Sequence, residues 1–219
     1  MNTGLKGFLF DKDGTLVDTH DLILESMRHA TREVLGEVLP DERLMAKIGI
    51  PLAGQVKDFS DDSDVQRRLA EAYREFNHDR HDEMIAIYPG EIEAMDRIAA
   101  TGAALGVVTS KMHWLAWRGL EVTGIAGYLS LLIGADDCPV HKPLPDPVLA
   151  GIKALGLTPA ECAYVGDASF DIEAGNAAGC TTIAVTWGMG IPDDVMAACP
   201  DFVCNTFDEL ATLIERLSR

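Results

Sequence analysis

Two carboxylates separated by one residue follow a short apolar run near the start of the 219-residue chain. The run, residues 7–10, holds aromatic and branched side chains without charge and is too short for a helix, so we expect a buried strand. Asp11 and Asp13 come directly after it, where a charge needs a cation or hydrogen-bond donors. One carboxylate can attack an electrophile while the second moves a proton. Asp11 is therefore the candidate nucleophile and Asp13 the candidate general acid and base.

Two further stretches carry groups that bind phosphate. Thr109 and Ser110 lie at the end of the predicted strand 104–109, and hydroxyls with backbone N–H groups at such a turn bind phosphate oxygens. Lys142 lies in the segment 141–147, which three prolines stiffen. A stiff segment reduces the entropy that is lost when an ammonium is fixed. These three residues are the candidate phosphate ligands.

A last acidic pair follows the apolar run 163–165 and opens a helix. Asp167 comes at the end of this predicted strand, where it can join Asp11 on a hard cation that prefers oxygen ligands. Asp171 lies one helical turn further on, so it is placed to bond to a lysine or to a water on that cation. The sequence thus predicts a site for a divalent cation between two strand ends.

Strand and helix patterns alternate from about residue 88 to the end of the chain. The strand-like runs are continuous in apolar residues, which is typical of strands buried on both faces, and they cover residues 104–109, 131–134, 163–165, 182–185 and 202–203. This alternation predicts an α/β fold with a doubly wound parallel sheet. In such a sheet, ligands bind at the carboxyl ends of the central strands, where the acids lie.

The segment between these two parts of the chain has no strand-like run. Helical spacing begins near Ile23 and is stopped by Gly36, a second helix is expected with Asp41 as its cap, and a third covers residues 52–59. A capping-box pattern at 63–66 predicts a fourth helix. We therefore predict a helical cap domain at 18–86, inserted into a core domain formed by 1–17 and 87–219.

These stretches, in this order, resemble the four motifs of the haloacid dehalogenase (HAD) superfamily, and the resemblance covers nearly the whole chain. The helical insertion resembles the cap of the phosphoglycolate phosphatase-like branch. The resemblance implies a HAD-like Rossmannoid core and a phosphatase that forms an aspartyl phosphate on Asp11. It also implies Mg²⁺ as the cofactor, held by Asp11, Asp167 and the backbone carbonyl of Asp13. Thr109 would then bind the phosphoryl group, and Lys142 would offset the charge of the nucleophile.

A few residues depart from the family pattern or lack a clear role. Many relatives have Asn in place of Ser110, and often Ser in place of Ala168. Lys12 replaces a smaller or apolar residue; we expect its side chain to point away from Asp11 and Asp13 and to take no part in catalysis. Lys47, in a stretch that resembles the specificity loop of the cap, is a candidate contact for a second anionic group of the substrate. No role is assigned to His20.

The leading hypothesis is magnesium-dependent hydrolysis of a small phosphate monoester, with phosphoglycolate as the first candidate. A sugar phosphomutase would use the same residues but return the phosphoryl group to the sugar. A dehalogenase would release halide, and a non-catalytic phospho-acceptor would keep a stable phosphoaspartate. The helical insertion and the spacing of Asp11 and Asp13 count against the phospho-acceptor.

Composition limits the partners. A formal net charge of -17 argues against nucleic acid and anionic membranes as partners, and it would repel a phosphate ester unless a cation and placed lysines act locally. The five cysteines are odd in number and lack metal-ligand spacing, which favours reduced thiols. Without a leader or an apolar run of about 20 residues, we expect a cytoplasmic protein that acts on a small phosphorylated metabolite. The oligomeric state is not predicted.

Overall fold

The computed structural model describes residues 4–219, and its centre is a six-stranded parallel sheet in the order β3-β2-β1-β4-β5-β6. The strands are β1 Gly7–Phe10, β2 Ala104–Val108, β3 Leu131–Ile133, β4 Cys162–Gly166, β5 Thr181–Val185 and β6 Phe202–Cys204. Phe8 and Phe10 of β1 pack into one hydrophobic core, whereas Leu9 packs into another. Because successive side chains of a strand point to opposite faces, the sheet is covered on both sides. The predicted doubly wound parallel sheet is confirmed.

The register of the central strands brings their carboxyl ends to one edge. Phe10, the last residue of β1, pairs with Val107 of β2 and with Val165 of β4. The residues that follow these three strands therefore leave the sheet at the same level. This is the edge at which we expect the candidate site residues to meet.

The segment from residue 18 to residue 86 is helical, as the apolar spacing predicts. It contains α1 His20–Leu35, α2 Asp41–Met45, α3 Leu52–Gln55, a 3₁₀ turn at Val56–Asp58 and α4 Ser63–Met84. Asp18 and Ala86 exchange both backbone hydrogen bonds, of 2.9 and 3.1 Å, where the segment leaves and rejoins the rest of the chain. The division into a cap domain at 18–86 and a core at 1–17 and 87–219 remains a prediction.

Two predicted helix caps are wrong. Asp41 is the first residue of α2 and does not cap it, because Pro40 occupies the cap position. At the start of α4 the carboxylate of Asp62 accepts the N–H groups of Asp64 and Val65, so the cap lies one residue before the predicted Ser63. Since acidic and hydroxyl side chains cap equally well, adjacent candidates of both kinds leave the exact residue open.

The remaining helices connect the strands of the sheet. They are α5 Glu91–Ala100, α6 His113–Val122, α7 Asp146–Ala154, α8 Ser169–Ala178, α9 Pro192–Ala197 and α10 Phe207–Leu217, with 3₁₀ turns at Ile125–Tyr128 and Pro159–Glu161. None of the helices within 4–219 is long and apolar enough to cross a membrane. All five cysteines are free thiols in this structure.

Candidate active site

Three buried carboxylates meet at the carboxyl edge of the sheet. Asp11 follows β1, Asp167 follows β4, and Asp171 lies in the first turn of α8. One oxygen from each lies within 4.8 Å of the others, and each residue is at most 4% exposed. We call Asp11, Asp167 and Asp171 the acidic cluster. The strand ends thus bring together residues that are more than 150 positions apart in sequence.

A single buried ammonium lies against this cluster. Nζ of Lys142 is 2.5 Å from Oδ1 of Asp171 and 3.0 Å from Oδ1 of Asp11. It also donates over 3.2 Å to the hydroxyl of Tyr164, which in turn donates to the carbonyl of Val108. Burial lowers the pKa of Lys142, but the two neighbouring carboxylates outweigh it and raise this pKa well above its usual value. Lys142 is therefore a fixed cation.

Backbone and hydroxyl donors fix the position of Asp167. Its Oδ1 accepts from Oγ1 of Thr15 over 3.0 Å, and its Oδ2 accepts from the backbone N–H of Met189 over 2.7 Å. Gly14 has a φ of +85°, and an added Cβ there would overlap the carboxylate of Asp167. Glycine at position 14 allows both the backbone conformation and the close approach.

The electrostatics of the acidic cluster are those of a site that lacks positive charge. Burial raises the pKa of Asp11 to about 6, with Lys142 opposing this shift. Burial and the like charges of Asp171 and Asp11 raise the pKa of Asp167 to about 7. Although Lys142 is near, its geometry to Oδ1 of Asp11 is not that of a hydrogen bond, and this buried oxygen lacks a donor. Three carboxylates, whose charge one ammonium only partly offsets, are a fitting donor set for a hard divalent cation.

The fourth carboxylate has the opposite surroundings. Oδ1 of Asp13 is 2.5 Å from Nζ of Lys12, and Oδ2 is 3.2 Å from Nζ of Lys111. Burial would raise the pKa of Asp13, but Lys111 and Lys12 outweigh it and hold this pKa well below its usual range. We call Lys12 and Lys111 the lysine pair. The expectation that Lys12 points away from both aspartates is therefore wrong for Asp13.

A cavity of about 420 Å³ opens above Asp11 and Asp13, between the helical segment and the strand ends. Most of its wall is apolar, and it includes Ile23, Ile48, Ile50, Leu52, Met112 and Trp114. The residues of α4 on the wall that carry polar groups are Tyr73, Arg74, Asn77 and His78. Organic ligands typically bind in cavities of this size that combine an apolar wall with few polar groups.

Of the other residues that the sequence predicts to contact the substrate, some line this cavity and one does not. Thr109 and Ser110 line it, and the hydroxyl of Ser110 donates to the carbonyl of Gly49 over 2.7 Å. Lys47 does not line it; its Nζ is 2.6 Å from a carboxylate oxygen of Asp58, and the lysine side chain is 44% exposed. This position does not support the predicted contact between Lys47 and a substrate.

Several residues of the site were not assigned a role from the sequence. Lys111 directly follows the predicted phosphate-binding residues Thr109 and Ser110. Its position next to them was a signal in the sequence that could have identified it as a site residue. Thr15 belongs to the first acidic motif, but nothing in its spacing indicates that it bonds to Asp167. Tyr164 lies inside a buried strand, and Met189 contributes only a backbone N–H. These last two contacts depend on the fold and leave no signal in the sequence.

Comparisons with known proteins give one consistent result. The profile of the haloacid dehalogenase-like hydrolases matches residues 8–185. Pyrophosphatase PpaX of Bacillus velezensis is 34% identical over 202 residues, which cover 92% of this chain and 93% of the relative. Pyrophosphatase PpaX of Bacillus pumilus is 31% identical, with 94% of each chain covered.

Solved structures with low sequence identity share the fold. The crystal structure of a predicted phosphoglycolate phosphatase from Haemophilus somnus has a TM-score of 0.88 at 24% identity, covering 95% of this chain and 97% of the other. A haloacid dehalogenase-like family hydrolase from Streptococcus pneumoniae, SP0104, has a TM-score of 0.87 at 22% identity, covering 97% and 99%. At these identities the likeness concerns the fold alone.

Proposed function

Because this chain belongs to the haloacid dehalogenase-like hydrolases, we propose that it hydrolyses a small phosphate monoester in a magnesium-dependent reaction. Asp11 is the nucleophile and Asp13 is the general acid and base. Lys142, Thr109 and Ser110 bind the phosphoryl group. The observation that carries this proposal is the convergence of Asp11, Asp167, Asp171 and Lys142 below a cavity that Asp13 also lines.

In the first step, a carboxylate oxygen of Asp11 attacks phosphorus and the bond to the leaving oxygen breaks. The phosphoryl oxygens of the bound ester draw Lys111 away from Asp13, which raises the pKa of Asp13 and lets it take up a proton before the step. Asp13 then gives this proton to the leaving oxygen, so an alcohol leaves and a phosphoaspartate remains on Asp11. Lys142 lies 3.0 Å from Oδ1 of Asp11, where its charge offsets the negative charge that builds up in the transition state.

In the second step, Asp13 takes a proton from a water molecule, and this water attacks the phosphorus of the phosphoaspartate. The bond between phosphorus and Asp11 breaks, inorganic phosphate leaves, and the carboxylate of Asp11 is restored. One residue thus serves as acid first and as base afterwards, as two-step hydrolysis requires.

The acidic cluster fits a magnesium ion. Oδ1 of Asp11 is buried and accepts no hydrogen bond, and the pKa values of Asp11 and Asp167 are raised. Both observations indicate that the protein's own cations do not neutralise the negative charge of the acidic cluster. Asp11, Asp167 and the backbone carbonyl of Asp13 would hold the ion. Asp171, which accepts a hydrogen bond from Lys142, would accept another from a water on the ion. When bound, Mg²⁺ neutralises charge on the phosphoryl oxygens.

The identity of the ester depends on the cavity. Phosphoglycolate is the first candidate from the sequence resemblance. Pyrophosphate, an anhydride whose leaving group is phosphate and not an alcohol, is the second candidate substrate, because relatives that match nearly the whole chain at 31–34% identity are pyrophosphatases. The apolar wall and the volume of about 420 Å³ also support a larger organic ester, since pyrophosphate would leave much of the wall without contacts.

The proposal is tested by measuring phosphate release from phosphoglycolate, pyrophosphate, sugar phosphates and 4-nitrophenyl phosphate, with Mg²⁺ and with a chelator. We expect release that the chelator abolishes and that Asp11→Asn lacks. Isomerised sugar phosphate without free phosphate would identify a phosphomutase instead. A phosphoaspartate that persists for minutes without turnover would identify a phospho-acceptor.

A further inference from the structure

Lys12 lies between Asp11 and Asp13 in the sequence, and in the fold its ammonium contacts the carboxylate of Asp13. The side chain is fully buried, and Nζ donates to Oδ1 of Asp13 over 2.5 Å. Within residues 4–219, Asp13 is the one carboxylate in ion-pair contact with this ammonium. A buried ammonium with a single short bond is held in one geometry, because losing that bond would leave its charge unpaired.

The two oxygens of Asp13 have different neighbours. Oδ1 faces Lys12, which does not line the cavity. Oδ2 is 3.2 Å from Nζ of Lys111, which lines the cavity together with Asp13. Oδ1 is thus on the protein side of the carboxylate, and Oδ2 is next to a side chain that a substrate can reach.

We propose that Lys12 is a positioning residue that fixes Oδ1 of Asp13 and so leaves Oδ2 as the oxygen that exchanges the proton with the leaving group. This inference rests on the proposed function and deepens it. Oδ2 gives its proton to the leaving oxygen as the bond of that oxygen to phosphorus breaks and the bond from Asp11 forms. Oδ2 later takes a proton from the attacking water. In the proposed mechanism Lys111, which lines the cavity, turns from Oδ2 to the phosphoryl oxygens of the bound substrate.

The end of the Lys12 side chain has little freedom to move. A Cβ added to Gly119 of α6 would lie 2.8 Å from Cε and 3.1 Å from Nζ of Lys12, and 3.3 Å from Cε1 of His81. His81 is itself fully buried. Lys12 therefore ends in a slot between α6 and α4, and the absence of a side chain at Gly119 makes room for it.

Lys12→Met removes the ammonium and retains an apolar chain of similar length. General acid catalysis contributes about 10²–10⁴ in rate, and misplacing a catalytic group by about 1 Å costs on the order of 10². We therefore expect kcat/KM for phosphoglycolate, which has an alkoxide leaving group, to fall about 10- to 100-fold. The fall for 4-nitrophenyl phosphate should be less than about threefold, because nitrophenolate leaves without a proton.

Two measurements separate positioning from general damage. The inhibition constant of inorganic phosphate should stay within about twofold, since ground-state phosphate binding does not involve Lys12. Lys153→Met, at an exposed lysine of α7, is the matched control and should leave both substrates unaffected. If phosphoglycolate is not turned over, the alkyl phosphate of the panel with the highest kcat/KM takes its place.

Gly119→Ala tests the same idea with every charged group retained. Alanine favours the helix by about 1 kcal/mol, but its Cβ would push the end of Lys12 away from Asp13. We expect the same selective loss for the alkyl ester, about tenfold. In the Lys12→Met background, Gly119→Ala should add less than about twofold, because the two changes act through one contact.

The inference is overturned if kcat/KM falls equally for the two esters, or if it falls in neither variant. Hydrolysis by the wild-type protein would still uphold the proposed function in that case. A wild-type protein that hydrolyses no member of the panel overturns the proposed function and the inference with it. If Lys12→Met does not fold, Gly119→Ala decides alone: a selective loss supports the inference, and unchanged kcat/KM for both esters overturns it.

Discussion

The two halves of the site carry opposite surplus charge. In the acidic cluster, three carboxylates share the single ammonium of Lys142. Around Asp13, one carboxylate is held by the two ammoniums of the lysine pair. An excess of negative charge binds a cation, whereas Lys111, the member of the lysine pair that lines the cavity, attracts a phosphate. A chain with a net charge of -17 can therefore take up an anionic ester at one point, because it separates the two signs within the site.

The strongest test of the acidic half is Asp11→Asn. The amide cannot attack phosphorus, so we expect turnover to fall by at least about 10⁴-fold. The fold should be retained, because the substitution removes one of three crowded buried charges. Turnover and thermal unfolding are both measured, with Asp61→Asn, at an exposed position, as the control. Appreciable residual activity would exclude Asp11 as the nucleophile.

Asp13→Asn tests the basic half. It retains the size of the side chain but removes the proton exchange, so both steps slow and kcat should fall by about 10²–10⁴. A rapid-quench measurement would show a phosphoaspartate that accumulates on Asp11 if the second step slows more than the first. Normal turnover in this variant would show that another group moves the proton.

The acidic half was easier to predict from the sequence than the basic half. Asp11 and Asp167 follow strand ends, and Asp171 lies one helical turn beyond Asp167. Because the ends of parallel strands meet at one edge of the sheet, motif and periodicity together predicted that these residues meet. The side-chain direction of Lys12 depends on Gly119, which lies more than a hundred residues later in α6. The expectation that Lys12 points away from Asp11 and Asp13 considers only adjacent residues in the sequence. It cannot include Gly119, and it is wrong for Asp13.

Lys47 shows a different limit. Its position in a loop that resembles a specificity element suggested a substrate contact, but the fold gives it Asp58 as a partner. The cavity wall takes Arg74 and His78 from α4 instead. The capping-box pattern at 63–66 predicts the helix, but which face of α4 lines the cavity depends on how the helical segment packs over the sheet.

Lys142→Met should distinguish the two halves by stability. Removing the ammonium leaves the acidic cluster without a protein cation, and losing one partner of a buried ion pair costs about 3–5 kcal/mol. In Lys12→Met, by contrast, Asp13 keeps Lys111 and the loss should be smaller. Chemical denaturation without Mg²⁺ measures both, and Lys153→Met should stay within about 0.5 kcal/mol of the wild type. Equal losses in the two lysine variants would contradict the proposed separation of charge.

The smallest effect expected is a pH-dependent stabilisation by Mg²⁺. The pKa values of Asp11 and Asp167 are raised in the folded protein from 3.8 to about 6 and about 7. The folded state thus holds these protons more tightly than the unfolded state, and without a cation this contribution to stability is lost as the pH rises from about 4 to about 7. Mg²⁺ binds the deprotonated carboxylates, so its benefit must grow over the same window.

At pH 8 and a Mg²⁺ concentration of about 100 times Kd, mass action adds about 2.7 kcal/mol, or about 5–10 °C in Tm. The shift at pH 5 should be much smaller, since protons then compete with the ion. Asp167→Asn should lose the shift at pH 8, whereas Asp61→Asn should keep it. A shift of the same size at both pH values, or one that survives in Asp167→Asn, would mean that Mg²⁺ binds outside the acidic cluster. The acidic half would then need another source of positive charge during turnover.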